Sequence, residues 1–536
     1  MSRSRLWLAG AVLALALAHA LVGAPGEPFY NNDENRHVMT GVFFRDLLLD
    51  RPFDDPRGYA LDYYLQYPAL GLTVWPPLFH GIEGVFMLVF GTSYAVARAV
   101  VALFAVLACV YLFLLVRRTH DAFAAVLAVL LCGLAPLVFQ LSRHVMLEIP
   151  SLAFTLAAVY HFVRYLDAGK PLDVYLAAVA SALLALTRYD AFFLLLFFAL
   201  AVVARRRFDL FRRREVWLAA LLALAIVVPV YVPLLAAFGP AHLRVSVEGG
   251  AAGRTFWEHL VFYPWSLLRR IGPLTAVFAA LGLLAALRPS PGRVRWPYFV
   301  LAAATYAAFT PLAELEERHA IYWYPAFALF AVEGIDWLAA RLKAPAARPV
   351  LTALAAAGAF WTALAGHNLY LRGYEEAARY VVENTRASRF TFMDGFLNGD
   401  FIYQVRRHDP GRRLWVLRGD KMLYGVLNEP GTGYAEYAAG DREILDVLHR
   451  YDPELIVVEE PQVYFRIPVA DRLRAVLAAH PERFERVKSF PIDSNVPFFQ
   501  GVRLDVYRSR IRNPRPERRV SFDMISLGRS LTSEVK

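Results

Sequence analysis

Charge is scarce in this chain. Asp, Glu, Lys and Arg make up only 19% of its 536 residues, against about 25% in an ordinary soluble protein, which excludes a wholly soluble globular fold. Cysteine is scarcer still. Cys109 and Cys132 both lie inside apolar segments, where they pack as small hydrophobes and identify no redox compartment. From about Tyr370 onward there is no glycine-rich phosphate loop of the Rossmann or Walker kind. No His-x-x-x-His pair sets the spacing of a metal site. There is also no internal repeat, and no pair of broken spans in matching halves of the sort that marks a transport site.

What is present is hydrophobic. The chain is 57% hydrophobic and 14% aromatic, with a mean hydropathy of +0.39. Apolar stretches of roughly 15 to 23 residues recur along it, the mark of a multi-span membrane protein. The net charge of +10 does not indicate a nucleic-acid partner, because the arginines sit in short turns between apolar runs. Arg117-Arg118, Arg205-Arg206-Arg207, Arg212-Arg213-Arg214, Arg293 with Arg295, and Arg341 with Lys343 have the distribution of cytoplasmic loops.

The fold class that follows is a polytopic α-helical membrane protein with a C-terminal soluble α/β domain. A first span ends near residue 24. Ala18-His19-Ala20 resembles a signal-peptide cleavage site, but an uncleaved span is expected because more spans follow. Residues 25–92 form an outer loop with juxtamembrane helices, and 76–91 lies at the interface or dips in. Residues 93–368 carry the other spans: 94–116, 121–140, 149–166, a hairpin over 172–204, 216–237, 272–287, 296–312, 320–340 and 349–366. That makes about 11 transmembrane helices, with every arginine-rich turn on one side. The odd count places the α/β domain, residues 369–510, outside. Its helices alternate with short apolar strands. The tail, 511–536, is expected to be disordered.

The outer loop from Glu27 to His80 is polar, aromatic and rich in carboxylates, and loops of that length are usually functional. Ionisable groups at membrane depth mark functional sites, and this topology gathers many on one side. They include Asp33, Glu34, His37, His80, Arg143, His144, Glu148, Arg188, Asp190, Glu316, Arg318 and His319. Arginine binds phosphate with a flat, permanently charged fork. A carboxylate can take the proton of an attacking hydroxyl. Such a set beside an apolar bundle suits a substrate with a lipid tail and a phosphate head. Competing structural roles are a helix cap at Asp33 and Glu34, an Arg188–Asp190 ion pair at a hairpin tip and a snorkelling Arg318.

The order of the motifs resembles the GT-C glycosyltransferases of the protein O-mannosyltransferase and aminoarabinose-transferase type. The first span leads to Asp33-Glu34, then to Trp75-Pro76-Pro77 entering an apolar helix. RHVMLEIPS follows the third span, ERHAIYWYPAF starts a late span, and an α/β tail closes the chain. The resemblance is strongest over residues 5–210, weaker to 366 and slight in the tail. It implies transfer of a sugar from a polyprenyl phosphate carrier to an acceptor on the outer face, usually with inversion. By position Asp33 would be the base, Glu34 would assist or bind acceptor, and Glu148 would stand where the family often has aspartate. Arg143, Arg188, Arg318, His80 and Tyr322 are the candidate substrate-binding residues. The family often has a basic residue before the Pro-Pro pair. Here it is Trp75, which leaves His80, Arg188 or Arg318 to neutralise the phosphate.

His37, His80, His144 and His319 are weak candidates for a divalent metal, and no cofactor is assigned. The expected partners are the polyprenyl-phosphate sugar, membrane lipids and a protein, lipid or glycan acceptor. An alanine- and arginine-rich composition suggests a bacterium of high GC content, hence an inner membrane with a periplasmic site. The alternatives are a transporter or lipid flippase, and a scaffold whose outer domain binds a partner.

Overall fold

The computed structural model describes residues 3–23, 32–72, 74–238, 254–287, 295–312, 315–366, 369–426, 433–463, 466–524 and 527–535. Residues 24–31 at the start of the outer loop, residues 239–253 and the turn at 288–294 lie outside the described residues.

The outer loop is helical. After α1 (Arg3–Val22), α2 spans Asn32–Asp50 and α3 spans Pro56–Gln66. Asp33 and Glu34 occupy the first turn of α2, where the helix dipole favours anions. The start of α3 is fixed by Asp55, whose carboxylate accepts from Gly58 N at 2.8 Å, and by Pro56 at the first helical position. Helix α4 (Leu78–Phe90) packs on α2 running in the same direction, with His80 against His37 and Gly84 against Phe44. The two come so close that a Cβ on Gly41 would stand 2.4 Å from Glu83 Oε2, and one on Gly84 2.9 Å from Arg45 N.

The bundle continues with α5 (Tyr94–Arg117), α6 (Ala122–Gly133), α7 (Pro136–Leu141), α8 (Glu148–Ala168), α9 (Pro171–Ala185), α10 (Phe193–Arg205) and α11 (Arg214–Phe238). The expected span 121–140 is two helices, because Pro136 cannot donate within a continuing helix and restarts the turn. The 172–204 run is a hairpin, with a 3-10 turn at Tyr189–Phe192 joining its arms. Helix α11 leaves Leu221, Leu224, Val232 and Leu235 exposed, as a lipid-facing helix does. The amphipathic α12 (Phe256–Arg270) precedes α13 (Pro273–Ala286), α14 (Trp296–Phe309), α15 (Tyr324–Leu342) and α16 (Ala347–Ala365). Glycine lets α13 and α15 touch backbone to backbone: a Cβ on Gly282 would sit 1.8 Å from Phe330 O, and one on Gly334 1.9 Å from Phe278 O. By length and composition, five described helices can cross a membrane (α1, α5, α8, α11 and α16). Helix length alone therefore accounts for five of the crossings expected, and apolar helices such as α6, α9, α13 and α14 are shorter.

The α/β domain is built from α17 (Tyr374–Asn384), α18 (Asn398–His408), α19 (Asp441–Tyr451), α20 (Pro468–Ala479) and a five-stranded sheet. Its strands are β1 (Phe390–Asp394), β2 (Trp415–Arg418), β3 (Leu455–Glu460), β4 (Phe484–Pro491) and β5 (Arg503–Ser509), in the order β2-β1-β3-β5-β4. Strand β1 is parallel to β2 and β3, whereas β5 is antiparallel to β3 and β4. The tail is ordered, contrary to expectation. It forms a hairpin of β6 (Arg519–Met524) and β7 (Arg529–Glu534), because Val520, Phe522 and Met524 alternate inward onto a core that includes Leu65 of α3.

Helix α18 lies on α2 and anchors the domain to the outer loop. Arg406 Nη2 meets Asp46 Oδ2 at 2.6 Å with both side chains buried, and Tyr63 OH donates to the same oxygen at 2.7 Å. Gln66 donates to the carbonyls of Arg412 and Leu414 at 2.6 and 3.0 Å, and Arg418 donates to the carbonyl of Pro68.

Candidate active site

Helix α8 separates two charge clusters. Its C-terminal end, capped by the left-handed Gly169, meets the arginine-rich turns. There Arg118 pairs with Asp167 at 2.6 Å, and Arg207 donates to the carbonyl of Leu166. Its N-terminal residue, Glu148, lies about 30 Å away along a 21-residue helix.

Three segments converge on Glu148. From the hairpin between α9 and α10, Arg188 Nη1 reaches Glu148 Oε1 at 2.5 Å and Arg188 Nη2 reaches Asp190 at 2.8 Å. From the 3-10 turn Glu317–Trp323, Arg318 places Nη1 2.9 Å from Asp33 Oδ2 and Nε 3.7 Å from Glu148 Oε1, and it also pairs with Glu316. One guanidinium thus joins Asp33 and Glu148, which are 115 positions apart. For both arginines, burial opposes the charged form, but the neighbouring carboxylates outweigh it and hold them above the ordinary arginine value. Four carboxylates, Asp33, Glu148, Asp190 and Glu316, thus surround Arg188 and Arg318, and Asp33 also faces Arg36 of α2.

Glu34 is fully buried and occupied. It accepts from Val145 N at 2.8 Å and stands 3.1 Å from His144 Nδ1. These contacts tie α2 to the segment preceding Glu148. Arg143 turns elsewhere: it donates to the carbonyl of Gly23 and lies 5.3 Å from the Phe139 ring. Burial, with Arg98 adding to it, pushes Arg143 down to about 10. Tyr322 is buried in the wall beside the arginines, its ring 4.3 Å from Phe193 and 5.9 Å from Phe309. Glu317 is drawn away to Arg269 and Arg270 of α12, at 3.0 and 3.1 Å.

The four histidines do not share a centre. His37 Nδ1 and His80 Nε2 bond each other at 2.9 Å, with the Trp75 ring 4.2 Å from His37. His144 pairs with Glu34, and His319 stacks on Phe309 at 5.7 Å. Among the described residues no three His, Cys, Asp or Glu side chains come together in a way that could hold a metal ion. Trp75, standing before the Pro-Pro pair, thus covers His37 and offers no cation. His37 and Asp33 occupy one face of α2, four residues apart.

Two further basic residues were not apparent from the sequence: Arg36, beside Asp33, and Lys421, which faces Arg36 from the α/β domain. Arg36 lies on α2 one turn beyond Asp33, and Lys421 lies in the helical turn after β2. Arg36 could have been found from its i+3 spacing to Asp33. Lys421 carries no local signal, since only the docking of the α/β domain brings it near.

Residues 75–232 match the family described as dolichyl-phosphate-mannose-protein mannosyltransferase. In three dimensions the chain is similar to ArnT from Cupriavidus metallidurans bound to undecaprenyl phosphate. That pair shares 14% identity and a TM-score of 0.64 over 95% of this chain and 99% of that one. The apo state of the same protein gives 14% identity and a TM-score of 0.65, over 94% and 98%. The Archaeoglobus fulgidus oligosaccharyltransferase in its apo form is 15% identical, with a TM-score of 0.55 over 84% of this chain and 69% of that one. No curated protein sequence matches the chain. The likeness to GT-C membrane glycosyltransferases, slight in the tail by sequence, extends in fold through the C-terminal domain.

Proposed function

We propose that this integral membrane protein is a glycosyltransferase. It moves a sugar from a polyprenyl-phosphate donor to an acceptor on the outer face, with inversion at the anomeric carbon. The observation that carries this reading is the Asp33–Arg318–Glu148–Arg188 cluster, set at the end of α8 remote from the arginine-rich turns. That separation supports a site on the outer face, because arginine-rich turns stay in the cytoplasm. The ArnT structure bound to undecaprenyl phosphate supports a donor of that class for a chain of the same fold.

The chemistry follows from the charge balance. Donor phosphate approaches Arg318 and Arg188 and competes with the carboxylates for their guanidinium groups, releasing Asp33 from Arg318. The acceptor hydroxyl oxygen then attacks the anomeric carbon from the face opposite the phosphate. A new C–O bond forms as the bond to phosphate oxygen breaks. The hydroxyl proton passes to Asp33, and the polyprenyl phosphate leaves with the electron pair, stabilised by the arginines. Phosphate is a good leaving group, so no general acid is required. Glu148 orients Arg188 and Arg318, and Glu34 positions α2 against the segment before Glu148.

The test is transfer from radiolabelled polyprenyl-phosphate sugars by the purified protein, wild type beside Asp33→Asn. A loss of about 10²- to 10⁴-fold in the variant, with unfolding temperature unchanged, is expected of a missing base. Uptake of the labelled donor into vesicles, indifferent to Asp33, would instead establish a transporter.

A further inference from the structure

A second group of charges lies where the α/β domain meets the outer loop. Its cations come from two domains. Arg36 projects from α2, three residues after Asp33 and therefore on the same face. Arg418 ends β2, and Lys421 follows it in the turn Gly419–Met422. The seam is well defined: Arg418 donates to the carbonyl of Pro68, and Gly71 N donates to Thr40 Oγ1 at 2.9 Å, one turn beyond Arg36. Strands β1, β2 and β3 are parallel here, and their carboxyl ends point to this seam, the end of an open α/β sheet where ligands bind.

The charges do not balance. Arg418 is buried and paired with Asp420. Among the described residues the side chains of Arg36 and Lys421 make no hydrogen bond or ion pair, although both are half-buried. Asp33, the nearest other carboxylate along α2, is already taken by Arg318. Three cations therefore face two carboxylates, Asp420 and Asp33, each already paired with an arginine. Lys421 is pushed down to about 8 by burial, with Arg418 and Arg36 adding to the effect against Asp420. Arg36 is lowered by burial and then by Arg418, with Asp33 and Asp420 opposing. Each cation feels the others, and all would gain from an anion placed among them.

We propose that Arg36, Lys421 and Arg418 form an anion subsite that holds a phosphate or carboxylate group of the acceptor, with its nucleophilic hydroxyl presented to Asp33. The inference rests on the glycosyltransferase reading for the word acceptor; the anion site itself does not. An acceptor tethered one helical turn from the base gains its orientation from the contact, which is the usual source of rate in a two-substrate reaction. The α/β domain contributes two of the three cations, so it forms part of the substrate site.

The subsite is tested by titrating inorganic phosphate, and separately acetate, into the full-length protein in detergent. Wild type is compared with Arg36→Gln, Lys421→Gln, Lys421→Arg and Arg318→Gln. Loss of one charge-assisted contact should weaken phosphate binding about tenfold in each of the first two. Lys421→Arg should bind as wild type does, which separates charge from folding damage. Binding of phosphate alone assigns a phosphorylated acceptor, and comparable binding of acetate assigns a carboxylate-bearing one. The proposal is overturned if wild type binds neither anion, or if only Arg318→Gln weakens binding. A parallel titration with undecaprenyl phosphate reports on the donor reading. Its failure alongside normal phosphate binding would sink the transferase assignment and leave the anion site standing.

Discussion

Removing the carboxyl group of Glu34 should disable the proposed transfer without touching its chemistry. Both Glu34 oxygens are committed, one to Val145 N at 2.8 Å and the pair to His144 Nδ1 at 3.1–3.2 Å, in a site with no exposure. In Glu34→Ala the Val145 N–H is buried without a partner, at a cost of about 1–3 kcal/mol. Loss of the His144 contact adds about 1 kcal/mol, so the total is about 2–4 kcal/mol. The start of α2 then loses its registration with Glu148, and a displacement of about 1 Å at Asp33 costs about 10²-fold in rate. In Glu34→Gln the amide oxygen can still accept from Val145, so stability should fall by about 1 kcal/mol and transfer by only a few-fold. The assay pairs thermal unfolding in detergent with single-turnover transfer from a polyprenyl-phosphate sugar. If Glu34→Gln melts like wild type yet loses 10²-fold or more, Glu34 takes part in the reaction and the positioning argument is wrong.

Three further expectations concern the scaffold. Arg406→Met leaves buried Asp46 with only Arg45 Nη1, 2.8 Å from Oδ1, and the Tyr63 hydroxyl as partners, at a cost of about 1–3 kcal/mol for the lost charge-assisted contacts. Adding Asp46→Leu should recover part of that, and limited proteolysis of the α/β domain reads both. Gly334→Ala puts a methyl 1.9 Å from Phe278 O, so α13 and α15 must separate. The cost is about 1–3 kcal/mol, whereas Gly10→Ala, with nothing within 4 Å, should be silent in the same thermal melt. His37 is held well below its ordinary value of 6.5 by burial, then by His80 and Arg318. The unfolded chain binds a proton there below pH 6.5 and the folded protein does not. Stability should therefore fall as pH drops below that value, by up to about 1.4 kcal/mol per unit, and His37→Asn should flatten the decline.

Much of this architecture is legible in local sequence. The hairpin over 172–204 and the alternation of helices with short strands in the α/β domain are present as expected, since apolar runs and period-two alternation are local signals. Polarity obscures the extent of one helix and the presence of another. Helices α2 and α18 are rich in Asp, Asn and Arg, and they bury those residues against each other and not in water. The tail was misread for a related reason: its arginines obscured the alternation of Val520, Phe522 and Met524. In the candidate site, the residue types were visible but their pairings were not. Nothing local in the sequence indicates that Arg318 bonds Asp33 and that Arg143 turns to Gly23. Those distances belong to the packing of helices far apart in the chain.

The closing hairpin has a consequence for biogenesis. Ser533 Oγ donates to Asp62 Oδ1 at 2.5 Å, across 471 residues, and Tyr64 OH contacts Met524 Sδ at 3.5 Å. Helix α3 is synthesised well before its partners in the hairpin, which follow 471 residues later. At about 5–20 residues per second that wait is roughly half a minute to a minute and a half. The outer layer around the candidate site is thus finished after the bundle beneath it has been inserted, and a nascent chain stalled before residue 519 would leave that layer open.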